Sequence, residues 1–500
     1  MPSRRRPVDT GVRKAVRSRS LRGALLLSAV SVGVAHAQTG PQAASEPPDP
    51  RPVIIQTSVG VQETFTDNVR LSSTNRESDL ITTVHLGLDA TLNGARTKGA
   101  LSLEGAYDFY ADADDLNGWT LRGIGSGSYA VIENFLSLDF QGAITNGNLS
   151  SFGSSAVERA GVDDRVQVST LSVGPKLTTQ LGDYADLDAA ARISWIAYDP
   201  ADGSNVAQTP SDATLLSTAL QIDTAERLSG LQFTLMAGYE EDNDDYRNFG
   251  LLGSAYVEVS PGLSVIGRLG YDNVSENSIV DIDAATWAVG LRYRPHDRAS
   301  FSIEGGERYE EPTWAASADV QVTNRFYLNA SYSEQVDPDQ GFIVRDLTNF
   351  VGLGEDGSPL APTEFDIDGN LYDSTSLHKT AQVEALYVWE AQSLRVSAHW
   401  RDRYFYDTQT NDRSVTTSVA YFRQIRPDLG FEIGADFDET YDSPIYGESR
   451  SYEFWTRLSY DLNPTVRIVG GYAHADDKQR TFGGQSFREN ALFVSLRKTF

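Results

Sequence analysis

Arginine recurs at alternate positions inside short segments that also carry alternating apolar residues. LRVSAHWRDR (394–403) holds Arg395, Arg401 and Arg403 with His399 between them, and SFSIEGGERYE (300–310) holds Arg308. Arg268 and Arg292 sit in similar surroundings, and Arg457 follows Trp455 by two residues. A guanidinium is a planar fork of donors that pairs bidentately with carboxylates, so a row of them along one wall would guide acidic sugars. The same faces carry Asp89, Glu104, Asp139, Glu304, Glu384, Glu432, Asp436 and Glu453. A second reading therefore stands beside the first: cross-strand ion pairs that stiffen the wall. Trp455 shares parity with Glu453 and Arg457, so it is expected to face a polar interior, where its ring would offer a stacking surface.

Other chemistry is thinly represented. His85 and His399 share the inward parity, but no serine shows a nucleophile spacing, and triads are defined by geometry. The sequence reads as a non-enzyme, with no catalytic, cofactor-binding or metal-binding residue assigned. The acidic runs EEDNDD (240–245) and DFDETYDS (436–443) read as solvated loops that would bridge cations loosely. DIDGNLYD (366–373) departs from a calcium loop at Leu371, where the sharp turn requires glycine.

The elements that must position these residues are strands. From Val53 onward, segments of about ten residues alternate in polarity, the spacing of strands in a membrane barrel. In LITTVHLGLDATL (80–92), Leu80, Val84, Leu86, Leu88 and Leu92 share one face and Thr83, His85, Asp89 and Thr91 the other. Tight turns such as SPG (260–262), RPD (426–428) and LNP (462–464) alternate with longer polar connections, the longest spanning 335–379. Tyrosine and tryptophan cluster near segment ends, as in an interfacial girdle. The expected fold is all-β: an antiparallel transmembrane barrel of about 22 strands, within a range of roughly 18 to 24. A secreted propeller or sandwich would share the alternation, but neither the turn asymmetry nor the aromatic ends.

Residues 1–37 read as a secretory signal peptide. A basic stretch precedes the apolar run GALLLSAVSVGV (23–34) and the A-x-A signal Ala35-His36-Ala37. Residues 38–52 are a Pro-rich periplasmic linker, too short for a plug, and 53–500 form the barrel. Without residues 1–37, which hold eight basic residues and one acidic one, 34 basic residues face 68 acidic ones. That balance excludes nucleic acid as a partner. Cysteine is absent, so packing and hydrogen bonds alone hold the exported chain together.

Two stretches resemble known outer-membrane sequences. ALFVSLRKTF (491–500) places Val494, Leu496 and Phe500 on one face and resembles the signal by which barrel-assembly machinery recognises its substrates; Lys498 departs from the usual apolar choice there. Phe500 is thereby expected to end a strand that closes against the first. ETFTDNVRL (63–71), containing Asp67, Asn68 and Val69, is followed by SDLITTVHLGLDATL (78–92). This pairing resembles the β-barrel porins associated with exopolysaccharide secretion loci. The resemblance implies a location in the outer membrane, contact with its lipid and lipopolysaccharide, passage of acidic polysaccharide, and periplasmic export components as partners. It implies no cofactor. Two other functions stay open: an uptake porin for small sugars, and a non-conducting surface barrel that binds a partner through acidic loops.

Overall fold

A computed structural model describes residues 52–148, 156–157, 159, 165–200, 211–224, 231–277, 279–338, 375–441, 443, 447–479 and 486–500. The signal peptide, nearly all of the linker, the DIDGNLYD run and most of segment 335–379 lie outside these residues.

Among the described residues, twenty-two strands follow one another, with a 3-10 turn at Asp114–Leu116 between the third and fourth. The first wall comprises β1 (Val53–Thr66), β2 (Asp79–Asn93), β3 (Thr97–Tyr110), β4 (Gly118–Ile132), β5 (Leu136–Asn148), β6 (Arg165–Leu181), β7 (Ala185–Pro200) and β8 (Ala213–Asp223). The next comprises β9 (Leu231–Asp242), β10 (Arg247–Ser260), β11 (Leu263–Glu276), β12 (Val280–His296), β13 (Ala299–Arg308), β14 (Glu311–Thr323), β15 (Phe326–Pro338) and β16 (Thr375–Trp389). The circuit ends with β17 (Gln392–Phe405), β18 (Thr410–Arg426), β19 (Leu429–Tyr441), β20 (Ser449–Asn463), β21 (Val466–Gln479) and β22 (Phe487–Thr499). Each strand pairs antiparallel with the next, and β22 pairs with β1 from Ser58↔Thr499 to Thr66↔Ala491. The sheet is closed, as the alternation implied, and has no free edge.

The period of two sorts the side chains. Leu86, Phe233, Leu269, Val289, Ile303, Trp314, Val383, Leu458, Leu492, Val494 and Leu496 are exposed on the outer face. In water such a belt would be a large exposed apolar patch; against lipid it is the low-energy surface. Ser102, Arg268, Asp272, Glu304 and Arg401 alternate with it on the inner face.

One rim carries tight connections, including residues 94–96, 261–262, 297–298, 324–325, 390–391, 427–428 and 464–465. The opposite rim is less uniform than the sequence pattern implied. Its connections at 243–246, 277–279, 309–310 and 406–409 are also short. Two acidic stretches read as loops are in part strand: Glu240–Asp242, half of the first, end β9, and Asp436–Tyr441, most of the second, end β19. Likewise Gln335–Pro338 complete β15 and Thr375–Lys379 begin β16. In each case cross-strand pairing satisfies the polar chain. Glu241, for example, meets Arg247 of the neighbouring strand at 3.2 Å.

The short β13–β14 hairpin shapes this rim. Its two turn residues, Tyr309 and Glu310, both have positive φ (57° and 64°), the primed-turn geometry that suits strand twist. Pairing of β12 with β13 starts only at Trp287↔Glu307, whereas β12 continues beside β11 up to Val280↔Glu276. Likewise β15 leaves β14 above Tyr332↔Ala316 and continues with β16 to Pro338↔Thr375. Two taller arms thus flank a low hairpin. Val274, Val280 and Ile282 of the first arm pack with Val336 and Leu377 of the second, around Tyr246, Tyr309, Tyr404 and Tyr406. Leu377 has the parity of the lipid-facing Val383, whereas Val280 has the parity of the inner wall. The outer face of the second arm therefore rests on the inner face of the first, and leans in behind it across the rim.

Candidate functional site: the inner wall

Most inner-wall arginines have a carboxylate at contact distance. Arg268 Nε lies 2.6 Å from Glu304 Oε2, Arg308 Nη2 lies 3.0 Å from Asp272 Oδ1, and Arg395 Nε lies 2.9 Å from Glu384 Oε1. Arg403 pairs with Asp412 where both are buried. Arg401 is buried on the same face, and His399 shares its parity on β17. The local reach follows from residue size. Glu304 of β13 crosses β12 at Gly290, where an added Cβ would lie 2.6 Å from Glu304 Cγ, and so meets Arg268 on β11.

Glu104 collects three basic side chains. Arg122 Nη2 and Arg497 Nη1 each lie 2.8 Å from it, and His85 Nδ1 lies 3.5 Å away. Arg497 starts on β22 and crosses both β1 and β2 to reach β3. It donates to Ser58 Oγ at 2.8 and 3.1 Å on the way. Gly87 leaves its path open: a Cβ there would stand 2.6 Å from Arg497 Nη2 and 2.3 Å from Ser58 Oγ.

Two inner-wall arginines differ from these. Among the described residues, neither Arg192 nor Arg292 has a carboxylate within ion-pair distance or a hydrogen bond. Arg292 lies with its guanidinium over the Tyr256 ring, 4.2 Å from the centroid. Tyr256 was not singled out by the sequence, although its even position in β10 marks it as inward-facing. Trp455 faces inward too. Its Nε1 donates to Asp436 Oδ2 at 3.1 Å, Arg457 lies 4.8 Å over its ring, and its ring packs against the cluster that includes Ala473 and Phe487.

The T-D-N-V stretch forms a knot at the top of the β1–β22 seam. Asp67 accepts from the backbone N and the Nδ2 of Asn490, both at 2.7 Å, and its own N donates to Asn490 O at 3.1 Å. Asn68 closes a turn on Ser72 through both side-chain atoms (2.9 Å each) and donates to Arg488 O at 3.0 Å. Val69 is buried with Ile81, Tyr110 and Ala113. Beneath them, Glu489 on the inner face of β22 accepts from Thr66 Oγ1 at 2.5 Å and from Ala156 N at 2.9 Å, and pairs with Arg159. Arg159 also donates to Val69 O at 3.0 Å. A piece of the β5–β6 connection is thereby held against the seam. Outside the wall, Arg70 grips Asp115 at 2.6 Å; this contact holds the Asp115 carboxyl below its usual range and raises the Arg70 guanidinium. Arg159, Glu489 and Arg497 escaped sequence reasoning because nothing local marks partners hundreds of residues away; only the inward parity of Glu489 and Arg497 was available. Of the assembly-signal residues, Val494 and Leu496 face outward, and Phe500 N donates to Thr57 O at 2.8 Å.

A closed 22-stranded barrel with a lipid-facing apolar belt is an outer-membrane protein. Solved structures share this architecture. The ferric enterobactin receptor PfeA of Pseudomonas aeruginosa matches at 11% identity with a TM-score of 0.50, covering 89% of this chain and 81% of its own. The siderophore receptor PirA of Acinetobacter baumannii matches at 9% identity and 0.49, over 89% and 80%. The FrpB iron transporter of Neisseria meningitidis matches at 12% identity and 0.48, over 89% and 82%. At such identities the likeness is one of barrel architecture alone. No family model and no curated protein matches the sequence. Among the described residues, no group of three His, Asp or Glu side chains converges as a metal site.

Proposed function

We propose that this barrel is an outer-membrane conduit that passes acidic saccharide and serves exopolysaccharide export. The carrying observation is the closed ring itself: an apolar outer belt encloses an inner wall built from arginine, carboxylate and hydroxyl side chains. A wall of that kind keeps water and charged solutes favourable inside a membrane. Twenty-two strands enclose a wide lumen, ample for a polymer where the rim stands open. The T-D-N-V resemblance supports the choice of polysaccharide over other cargo. No catalytic step is assigned to any residue.

A second reading has its own observation. The ion-paired wall, the leaning arm and the buried Arg159–Glu489 pair all favour a narrowed mouth, as in a non-conducting surface barrel. Single-channel recording of the refolded barrel in a planar bilayer separates the two. A large stable conductance supports the conduit. Silence from protein shown to be folded by heat-dependent gel mobility supports the sealed barrel and sinks passive passage.

A further inference from the structure

We infer that Arg292 and Tyr256 form a binding subsite for carboxylate-bearing solutes on the inner wall, in the half nearer the tight-turn rim. The inference deepens the conduit reading by naming the point where an acidic cargo is gripped, and it rests on that reading only for the identity of the cargo.

The argument begins with a comparison along one wall. Arg268, Arg308 and Arg395 each have a carboxylate of this chain at ion-pair distance. Arg268 engages both oxygens of Glu304, with Nε 2.6 Å from Oε2 and Nη2 2.8 Å from Oε1. Glu304 is thereby taken: Arg292, its diagonal neighbour on the same face, feels that carboxylate through space but has no acid at ion-pair distance among the described residues. A half-buried cation without a partner is costly, and here the Tyr256 ring offsets part of that cost through its face. Contact with the ring face leaves the guanidinium N–H donors without a hydrogen bond among the described residues. That is the geometry in which a planar fork receives a carboxylate through two parallel hydrogen bonds.

The surroundings suit a ligand. The cross-strand neighbours of Arg292 are Ser264 and Ser302, small hydroxyl residues that leave space and add donors. Ser302 is already turned toward Ser317, with their oxygens 2.8 Å apart. Arg192 also lacks a carboxylate at ion-pair distance among the described residues, although Asp139 acts on it through space; no ring contact to it is found there, so it carries charge without a shaped platform. The combination of an uncommitted guanidinium, an aromatic support and small polar neighbours falls at Arg292.

The test is equilibrium binding by calorimetry to the full barrel refolded in detergent, with trigalacturonate as the acidic probe and maltotriose as the neutral one. Trigalacturonate is expected to bind and maltotriose not to. Arg292→Gln should weaken trigalacturonate by about 10- to 100-fold, the worth of a charge-assisted hydrogen bond. Arg292→Lys keeps the charge but not the fork and should fall between. Tyr256→Phe keeps the ring and should bind as the parent does, whereas Tyr256→Leu should not. Heat-dependent gel mobility verifies that each variant is folded, and the lysine and phenylalanine variants keep the test open if the glutamine variant is not. Equal binding of both probes, no binding of either, or full affinity in folded Arg292→Gln overturns the subsite. Conduction is a separate readout. A silent barrel that still binds acid through Arg292 sinks the conduit and keeps the subsite, and an open barrel indifferent to acid does the reverse.

Discussion

Replacing Glu489 tests the seam knot most directly. Its carboxylate is fully buried and receives three donors, Thr66 Oγ1, Ala156 N and the Arg159 guanidinium, which is itself almost fully buried. Glu489→Ala strands the Arg159 charge and two further donors in a site closed to water. Removing one partner of such a pair costs about 3–5 kcal/mol. Glu489→Gln keeps the shape and one acceptor, and should cost roughly half as much, since a neutral acceptor is weaker than a charged one. The assay is urea unfolding of the barrel in lipid, followed by gel mobility. A cycle with Arg159→Met isolates the pair: the double variant should recover about 1–3 kcal/mol relative to the sum of the singles. Strict additivity, or a loss below about 0.5 kcal/mol in Glu489→Ala, would refute the account, because a buried guanidinium deprived of its carboxylate cannot be that cheap. The same variants should raise single-channel conductance if residues 156–159 narrow the lumen, since the contact that holds them to the wall is gone.

Three other outcomes follow from the geometry. Gly87→Val should push Arg497 off its line to Glu104 and lower the unfolding midpoint, whereas Gly253→Ala, where an added Cβ would stand 3.6 Å from the Leu269 carbonyl oxygen, should not. Alkaline titration should find Tyr246, Tyr309 and Tyr406 late. Burial raises all three phenols, Tyr406 to about 12. A raised folded-state value means that the stabilisation is complete below the free phenol's value near 10 and is lost as pH climbs from about 10 to about 12; ultraviolet difference titration of Tyr406→Phe against the parent reads the missing step. Trp455→Phe should cost about 1–2 kcal/mol through the lost bond to Asp436 and the weaker contact with Arg457, and should remove the corresponding share of tryptophan fluorescence.

The barrel was legible because its governing signal is local. A period of two over about ten residues is visible in any one strand, and twenty-two repetitions leave little room for another fold. Leu492, Val494 and Leu496 announce a lipid face without help from the rest of the chain. Charge was a poorer guide than alternation. Glu240–Asp242 and Asp436–Tyr441 looked like loops because they are acidic, yet near a rim a strand carries acid cheaply when its neighbour supplies arginine, as Arg450 does for Glu439. Contacts that cross strands without following the ladder were illegible. Arg159 meets Glu489 from 330 positions away, and the leaning arm depends on the unequal heights of hairpins that each look ordinary alone. The unequal treatment of Arg268 and Arg292 was likewise hidden, because one glycine decides which of them Glu304 can reach.

The reach of Arg497 has a consequence for assembly. Twenty-one of the strand pairings join neighbours in the chain, so a connection limits how far each can slide. The β1–β22 pairing has no such tether, and its alignment must be read from side chains alone. A slip of one residue would turn Arg497 and Glu489 toward lipid and bring Leu496 and Val494 indoors. The residues that recognise the correct alignment lie at several heights: Ser58 with Arg497, Thr66 with Glu489, Asp67 with Asn490. They act as a combination lock, in which a misaligned seam satisfies no tumbler and the last closure of the ring is checked along its whole length.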